Sequence, residues 1–307
     1  MDASSMCVDV RNKLAFSMNR WKLNKLIFLS IPFSSNIRKP MKLALIGGGN
    51  MGGALLKALV KSNTLAASDT LLIEPDSGKR ENLVRETGCR AKASMDDEIA
   101  GADCLLLAVK PQSATDVMPT LKPLLTGNPM LISVMAGVSM QSLEEGLGLK
   151  KLVRVMPNTP ALVGEGMSVY FASEVVNDEE REWIRKLFSS CGKCMEVESE
   201  NAIDAATAVS GSGPAYLFYL AEQMIEAAKN LGFQAEQAET LVKQTLKGAS
   251  LLLQEQESAA ELRRRVTSPG GTTEAALKRF AEGKVEVHLK DGLEQAYLRA
   301  RELSGGE

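Results

Sequence analysis

The chain is poor in the residues that many catalytic and binding chemistries need. It has one histidine, His288, among 307 residues. A histidine triad, a His-rich metal site or an imidazole proton shuttle would rest on that residue alone. Aromatic residues make up 5%, too few for base-stacking platforms. The net charge of −2 argues against a broad phosphate-binding surface. Five cysteines, an odd number spread over a long chain, do not read as a disulfide framework. No apolar run approaches the ~18 residues of a membrane span. Nucleic-acid and membrane partners are therefore not expected, and a small-molecule substrate is. What is present is ordinary for a globular protein, with 45% apolar and 24% charged residues. At about 150 residues per domain, the length predicts two domains.

Residues 1–40 differ from the rest. They hold seven basic residues (Arg11, Lys13, Arg20, Lys22, Lys25, Arg38, Lys39) and two acidic ones (Asp2, Asp9). A basic, serine-rich, acid-poor stretch has the composition of an organellar transit peptide. Met41 stands immediately before the first strand, which favours a dispensable extension with Met41 as the functional start. The expected location is cytoplasmic, or organellar if residues 1–40 are a targeting signal.

From Met41 the pattern is that of a dinucleotide-binding unit. Lys42–Ile46 is an apolar run ending in Gly47-Gly48-Gly49-Asn50-Met51-Gly52, and Ala54–Val60 reads as a helix. This is G-x-G-x-x-G between strand and helix. Gly47 makes the tight turn, Gly49 admits a pyrophosphate, and Gly52 lets helix and strand pack closely. The helix N-terminus adds amide donors and a positive dipole end. The next strand, Thr70–Ile73, ends in Glu74, where an acid can accept from the adenosine ribose hydroxyls. A carboxylate there repels a 2′-phosphate, so the expected cofactor is NADPH or NADH with a lean towards NADH. Lys79 and Arg80, just downstream, moderate that lean.

The βα alternation continues through Asp103–Val109, ending in Lys110-Pro111-Gln112, and Met130–Val134, ending in Met135-Ala136-Gly137. Val153–Met156 follows and ends in Pro157-Asn158-Thr159-Pro160. Gly164–Phe171 and Cys194–Glu198 read as closing strands. Beyond about residue 200 the apolar period becomes helical over Ala215–Leu231, Leu241–Leu253, Thr272–Phe280 and Val285–Leu303. Their wide apolar faces predict contact with a second subunit. The expected fold class is α/β: an N-terminal Rossmann-like dinucleotide-binding domain over residues 41–200, then an all-α dimerisation domain over residues 201–307. Two segments, Ser210–Pro214 and Val266–Thr273, break the helical pattern just ahead of a helix. Each reads either as a concave nest of amides suited to a carboxylate or as an ordinary interhelical turn with threonine as cap.

Taken together, GGGNMG, LLLAVKPQ, RVMPNTPALVGEG, AVSGSGPAY and ELRRRVTSPGGTTEAAL resemble the pyrroline-5-carboxylate reductase family, from Met41 to about Leu303. The resemblance implies hydride transfer from a nicotinamide cofactor to 1-pyrroline-5-carboxylate, giving L-proline. It implies a homodimer that assembles further into a ring. It places Ile46, Gly47, Gly48, Gly49, Asn50 and Met51 around the dinucleotide, and Ala108, Val109, Lys110 and Ala136 beside the nicotinamide and its ribose. It gives Ser268, Gly271 and Thr272 the substrate carboxylate, and sets the Thr273 hydroxyl near the ring nitrogen as the catalytic group. Gln256 stands where some members have a glutamate near the substrate. Met95 replaces an asparagine often seen near the adenosine ribose.

The chemistry agrees with the composition. An iminium carbon is already electrophilic, so its reduction needs positioning more than a strong general acid. A β-hydroxyacid dehydrogenase, the nearest alternative, takes a proton from an alcohol with a lysine after a G-x-G; here Tyr216 follows Gly211-Ser212-Gly213-Pro214-Ala215. A non-catalytic dinucleotide-binding protein would have no use for the donor loop at 268–273. His288 reads as a surface or packed residue. Cys191 and Cys194 form a C-x-x-C that follows a helix instead of opening one, so neither redox nor metal chemistry is expected, and Gly192 reads as a helix C-cap. Arg265, in the run Arg263–Arg265, reads as a solvated side chain or a reach towards cofactor phosphate.

Overall fold

A computed structural model describes residues 41–305. The readings made for residues 1–40 lie outside the described residues.

An eight-stranded sheet runs in the order β3-β2-β1-β4-β5-β6-β7-β8. Its strands are β1 (Leu43–Ile46), β2 (Thr70–Ile73), β3 (Arg90–Lys92), β4 (Cys104–Leu107), β5 (Met130–Ser133), β6 (Leu152–Met156), β7 (Gly166–Ala172) and β8 (Gly192–Glu196). The first six pair in parallel. β7 runs antiparallel to β6, and β8 parallel to β7. Every residue of β1, β2, β4 and β5 is buried. That is why these strands read as unbroken apolar runs, as parallel strands covered on both faces do.

Alternate residues of each strand serve two different cores. Leu43, Leu45, Leu72 and Leu106 pack on one face with Leu55, Leu56 and Leu59 of helix α1 (Asn50–Lys61) and Leu83 of α2 (Ser77–Thr87). Ala44, Ile46, Ile73, Leu105 and Leu107 face the other way, onto Leu121 of α3 (Ala114–Leu121) and Leu143 and Leu147 of α4 (Met140–Leu147). Each fully buried leucine contributes about 1.5–3 kcal/mol. A one-residue slip in any strand would exchange its two faces. Helix α5 (Asp178–Ser189) closes the first face with Ile184, Leu187 and Phe188. It opens on a capping box between Asn177 and Glu180.

The strand order reverses between β1 and β4, which are neighbours in the sheet and far apart in sequence. In open parallel sheets ligands bind at such a reversal, beyond the carboxyl ends of the strands. The fold therefore directs residues 47–50 and 108–110 to one crevice.

From residue 201 onward only helices follow: α6 (Asn201–Ala206), α7 (Gly213–Asn230), α8 (Ala235–Leu252), α9 (Ala259–Arg265), α10 (Thr272–Glu282) and α11 (Val285–Leu303). Two sequence readings are corrected here. Ser210–Pro214 is not an open nest. Thr207–Gly211 is a π-helical turn continuing α6, and the Ser212 amide donates to the Thr207 carbonyl. Gly211 packs closely on Met156, whose methyl would lie 2.6 Å from a Cβ there and would have to move to admit one. Nor does Gly192 cap α5, whose cap is Ser190. It begins β8 at φ +144°, so tight against Gly166 that a Cβ would meet its carbonyl oxygen at 2.1 Å.

The helical half buries little of itself. Of the large apolar residues on α7, Leu217, Phe218, Tyr219 and Leu220 are exposed, as are Leu251 and Leu252 on α8 and Val287 and Leu289 on α11. Neither α9 nor α10 has a buried residue. Monomers rarely leave so many large apolar residues of one helical half exposed. What ties these helices to the sheet is a buried polar junction. Arg154 of β6, 3% exposed, donates to Asp204 of α6 at 2.7 Å and to Glu200 at 2.9 Å. Glu200 also accepts from the Met140 amide, and Asp204 from the Ser304 hydroxyl.

Candidate active site

The glycine loop has the geometry its spacing predicts. Gly47 adopts φ +102°, and a Cβ there would strike the Ala108 carbonyl at 2.7 Å. This contact joins the two loops across the strand-order reversal. Gly52 lies so close to Gly47 that a Cβ would be 2.0 Å from its carbonyl oxygen. Gly49 faces open space, and no side chain caps α1 behind it. The first-turn amides of α1 are thus open to an anion. Asn50 is exposed, Met51 is half-buried, and Gly47, Gly48 and Ile46 are buried. These residues fit a dinucleotide: close backbone approach at Gly49, a helix dipole behind it and no acid in the first turn.

Glu74 ends β2 beside this loop and is 8% exposed. One carboxylate oxygen accepts from the Gly48 amide at 2.7 Å, and the other from the Asp76 amide at 2.9 Å. The side chain therefore locks the glycine loop to the end of β2. Each oxygen keeps a second acceptor lobe. Met95 does not point to a polar role; it packs half-buried against the core of Ile46, Ile73 and Ile99. Across the crevice, Ala108 and Val109 are half-buried, while Lys110 and Ala136 are exposed. Gly137 is pressed by the last turn of α11, a Cβ there lying 2.8 Å from that of Leu303.

The second segment, 266–273, is an open turn ahead of α10. Gly270 adopts φ +70°, and Gly271, with no Cβ to meet the Ser268 hydroxyl, is the helix N-cap. Threonine is therefore not the cap; Thr272 is the first helical residue. The Gly271 amide does not face outward as a donor, because it donates to the Ser268 carbonyl at 3.0 Å. Since Gly271 brings no side chain to cap the helix, the Thr272 and Thr273 amides are left open. The Thr273 hydroxyl makes no hydrogen bond among the described residues. The Gly270 amide is held by the Glu274 carboxylate at 2.8 Å.

Other candidates separate from the site. Arg265 puts its guanidinium on Glu257 at 2.6 Å, so it is paired with an acid within its own half. Gln256 lies exposed in the turn between α8 and α9. His288 is exposed on α11. Burial pushes the Cys194 thiol up to about 11 and raises Cys191 as well, the reverse of a reactive thiol. Among the described residues, no group of three or more His, Cys, Asp or Glu could hold a metal ion. No hydrogen bond or ion pair among them joins segment 256–273 to the glycine loop, 108–110 or Ala136.

Sequence reasoning missed two contributors. Asn158, in the P-N-T-P turn after β6, donates to the Ser210 carbonyl and accepts from the Met167 amide, stapling the turn to the π segment. Glu274 reaches back onto the donor loop, a contact that a glutamate three positions past an uncapped Gly-Gly can signal.

A mostly parallel sheet with an open glycine loop at its reversal, followed by helices with unburied apolar faces, defines a nicotinamide-dinucleotide oxidoreductase with a helical association domain. Comparison with known proteins narrows the class. The family profile described as pyrroline-5-carboxylate reductase dimerisation matches residues 200–303, and that of the coenzyme F420-dependent NADP oxidoreductases matches residues 42–137. The pyrroline-5-carboxylate reductase of Pseudomonas aeruginosa is 38% identical over 265 residues, covering 86% of this chain and 97% of its own. That of Pisum sativum is 34% identical, covering 85% and 96%. Among solved structures, the Coxiella burnetii pyrroline-5-carboxylate reductase matches at TM-score 0.79 and 34% identity, covering 87% of this chain and 99% of its own. The Plasmodium falciparum pyrroline carboxylate reductase, solved with NADP bound, matches at 0.76 and 31%, covering 86% and 98%. The chain belongs to the pyrroline-5-carboxylate reductase family.

Proposed function

We propose that this protein reduces 1-pyrroline-5-carboxylate to L-proline, the last step of proline biosynthesis, with a nicotinamide dinucleotide held along residues 46–51, Glu74, 108–110 and Ala136. The observation that carries this reading is the coexistence of two anion-seeking sites of different size. One is the glycine loop with its uncapped helix. The other is the compact turn at 268–273 with its open amides.

The dinucleotide, when bound, supplies a hydride to the imine carbon. The chain's task is to hold the substrate. The Ser268 hydroxyl and the Thr272 and Thr273 amides bind its carboxylate, with Gly271 leaving them room. That fixes the ring and places the imine nitrogen at the Thr273 hydroxyl. Thr273 orients the nitrogen, which arrives protonated or takes a proton from water. Binding at one end and orientation at the other bring the reacting atoms to about 3–3.5 Å, which is worth several kcal/mol of barrier. Gln256, in the turn ahead of the loop, borders the substrate.

Glu74 favours NADH over NADPH, because its carboxylate accepts from a free ribose diol and repels a 2′-phosphate. The exposed helical faces pair in a homodimer, and the dimers assemble further into a ring. The dimer brings the 268–273 turn of one subunit to the glycine loop of the other. We assign the enzyme to the cytoplasm; fractionation of the native protein tests the organellar alternative. The activity is tested by following NADH or NADPH oxidation with pyrroline-5-carboxylate. No turnover with either would refute the reading of the reaction, and a large NADPH preference would refute the reading of Glu74.

A further inference from the structure

The loop that carries Ala136 is held from the helical half. Residues 134–139 join β5 to α4. The Val134 amide donates to the Leu107 carbonyl at 3.0 Å, and the Met135 amide to the Ser133 hydroxyl at 3.3 Å. Beyond that point Ala136, Gly137 and Val138 make no hydrogen bond among the described residues. Gly137 turns the chain at φ +72°. Backbone with no bonds of its own takes its position from what packs on it.

Two contacts from the helical half supply that position. Leu303, in the last turn of α11, lies against Gly137, where a Cβ would meet that of the leucine at 2.8 Å. Glu200, the residue ahead of α6, reaches the other end of the loop. Its Oε1 accepts from the Met140 amide at 2.8 Å. Met140 opens α4, whose first amides have no partner within the helix. The Ser139 hydroxyl takes the Ser142 amide, not that of Met140. A carboxylate at this helix end also meets the positive end of the dipole. Glu200 is itself fixed, because the same oxygen takes the Arg154 guanidinium at 2.9 Å. Arg154 is 3% exposed and is paired on its other side with Asp204.

We propose that Glu200 is a positioning residue for hydride transfer. By gripping the Met140 amide it sets the loop on which Ala136 borders the nicotinamide, so the helical half as well as the sheet fixes the hydride donor. This rests on reading the crevice as the cofactor site. Glu200 acts through the loop, not on the reacting atoms. Arg154 and Asp204 hold Glu200 and make no hydrogen bond to the loop themselves.

The test compares Glu200→Ala, Glu200→Gln and the wild type as full chains. Glutamine keeps an oxygen for the Met140 amide but loses the charge beside Arg154, so both variants lose stability in urea while only alanine frees the loop. Glu200→Ala is expected to lower kcat about tenfold, as a small misplacement of reacting groups does. The KM for pyrroline-5-carboxylate holds within about twofold, and Glu200→Gln recovers most of kcat. A second readout needs no turnover. Whichever of NADH and NADPH binds the wild type more tightly is titrated beside its fragment without nicotinamide, ADP-ribose or the 2′-phosphate of ADP-ribose. In Glu200→Ala the fluorescence anisotropy of the bound reduced nicotinamide falls, while the fragment's affinity holds within about twofold. Should Glu200→Ala not fold, Glu200→Asp, which keeps the charge and draws the oxygen back by one methylene, is expected to show the same losses. An unchanged kcat, equal kcat losses for glutamine and alanine, or an unchanged anisotropy would overturn the proposal. A chain that shows the anisotropy loss yet does not turn over pyrroline-5-carboxylate would fault the reading of the reaction and leave this assignment standing.

Discussion

The Glu274 carboxylate accepts a hydrogen bond from the Gly270 amide at 2.8 Å, so an acid of the chain already sits on the turn proposed to bind the substrate's acid. Glu274 is the third residue of α10, and its like charge opposes a second carboxylate at the same helix end. Its exposure means that solvent screens the effect. Glu274→Ala is expected to lower the KM for pyrroline-5-carboxylate about two- to fivefold, with kcat unchanged within twofold. Steady-state kinetics at low and high salt check this, the difference shrinking as salt rises. An increased KM instead would mean that Glu274 holds the turn in shape.

On the proposed reading, Thr273 brings the hydroxyl that meets the ring nitrogen while the amides of the same turn hold the carboxylate. Thr273→Ala is expected to reduce kcat by about ten- to a hundredfold, the lower range for a proton-orienting group. Thr273→Ser, which keeps the hydroxyl, recovers most of it. An unchanged kcat in the alanine variant would remove Thr273 from the mechanism.

Much of this was legible in the sequence because the chain's local chemistry and its tertiary role coincide. Buried parallel strands must be apolar on both faces, so Leu43–Ile46 and Cys104–Leu107 announce themselves. Gly47 and Gly52 have no alternative residue that fits the spaces they occupy. The π turn at Thr207–Gly211 was not legible. A string of serine and glycine reads as a loop, and only the packing of Gly211 on Met156 and the grip of Asn158 on the Ser210 carbonyl make it helical. The partners of Arg154 were hidden for a related reason. Glu200 and Asp204 are 46 and 50 positions away, and no period in the sequence links them to β6.

That junction predicts a large stability effect remote from the crevice. Arg154 and Asp204 are both almost fully buried, so removing one leaves the other's charge without its partner. Asp204→Ala is expected to cost about 3–5 kcal/mol. Ser304→Ala, which removes a neutral hydrogen bond, costs about 1 kcal/mol. Urea unfolding of the two variants beside the wild type checks both figures. Equal small losses would show that the junction is solvated in solution.

The thiols give a pH prediction. Burial raises Cys194 to about 11 from an ordinary value near 9. A raised thiol favours the protonated form in the folded state, so its contribution to stability is whole below pH 9 and fades as pH climbs towards 11. At pH 8 the native protein is expected to leave Cys191 and Cys194 unalkylated by iodoacetamide. Peptide mass mapping should show both labelled only after denaturation. Rapid native labelling of either would restore the C-x-x-C as a reactive pair.

Because no hydrogen bond or ion pair among the described residues joins the two proposed binding segments, subunit complementation is the sharpest check on the dimer. Gly49→Glu sets a negative charge where the pyrophosphate would lie, in open space that tolerates the side chain. Thr273→Ala removes the hydroxyl proposed to orient the substrate. Gly49→Glu alone is expected to be nearly inactive, and Thr273→Ala alone to keep about a tenth to a hundredth of the wild-type rate. If the turn of one subunit serves the glycine loop of the other, a mixed dimer holds one site with neither change. Co-refolding equal amounts then recovers about a quarter of wild-type activity, since half the dimers are mixed and half their sites intact. If both segments of a site belong to one chain, every site in the mixed dimer carries one defect, and activity stays at the level of the separate variants. Size-exclusion chromatography of the mixture confirms that the subunits have re-paired, so a flat result speaks against the shared site and not against assembly.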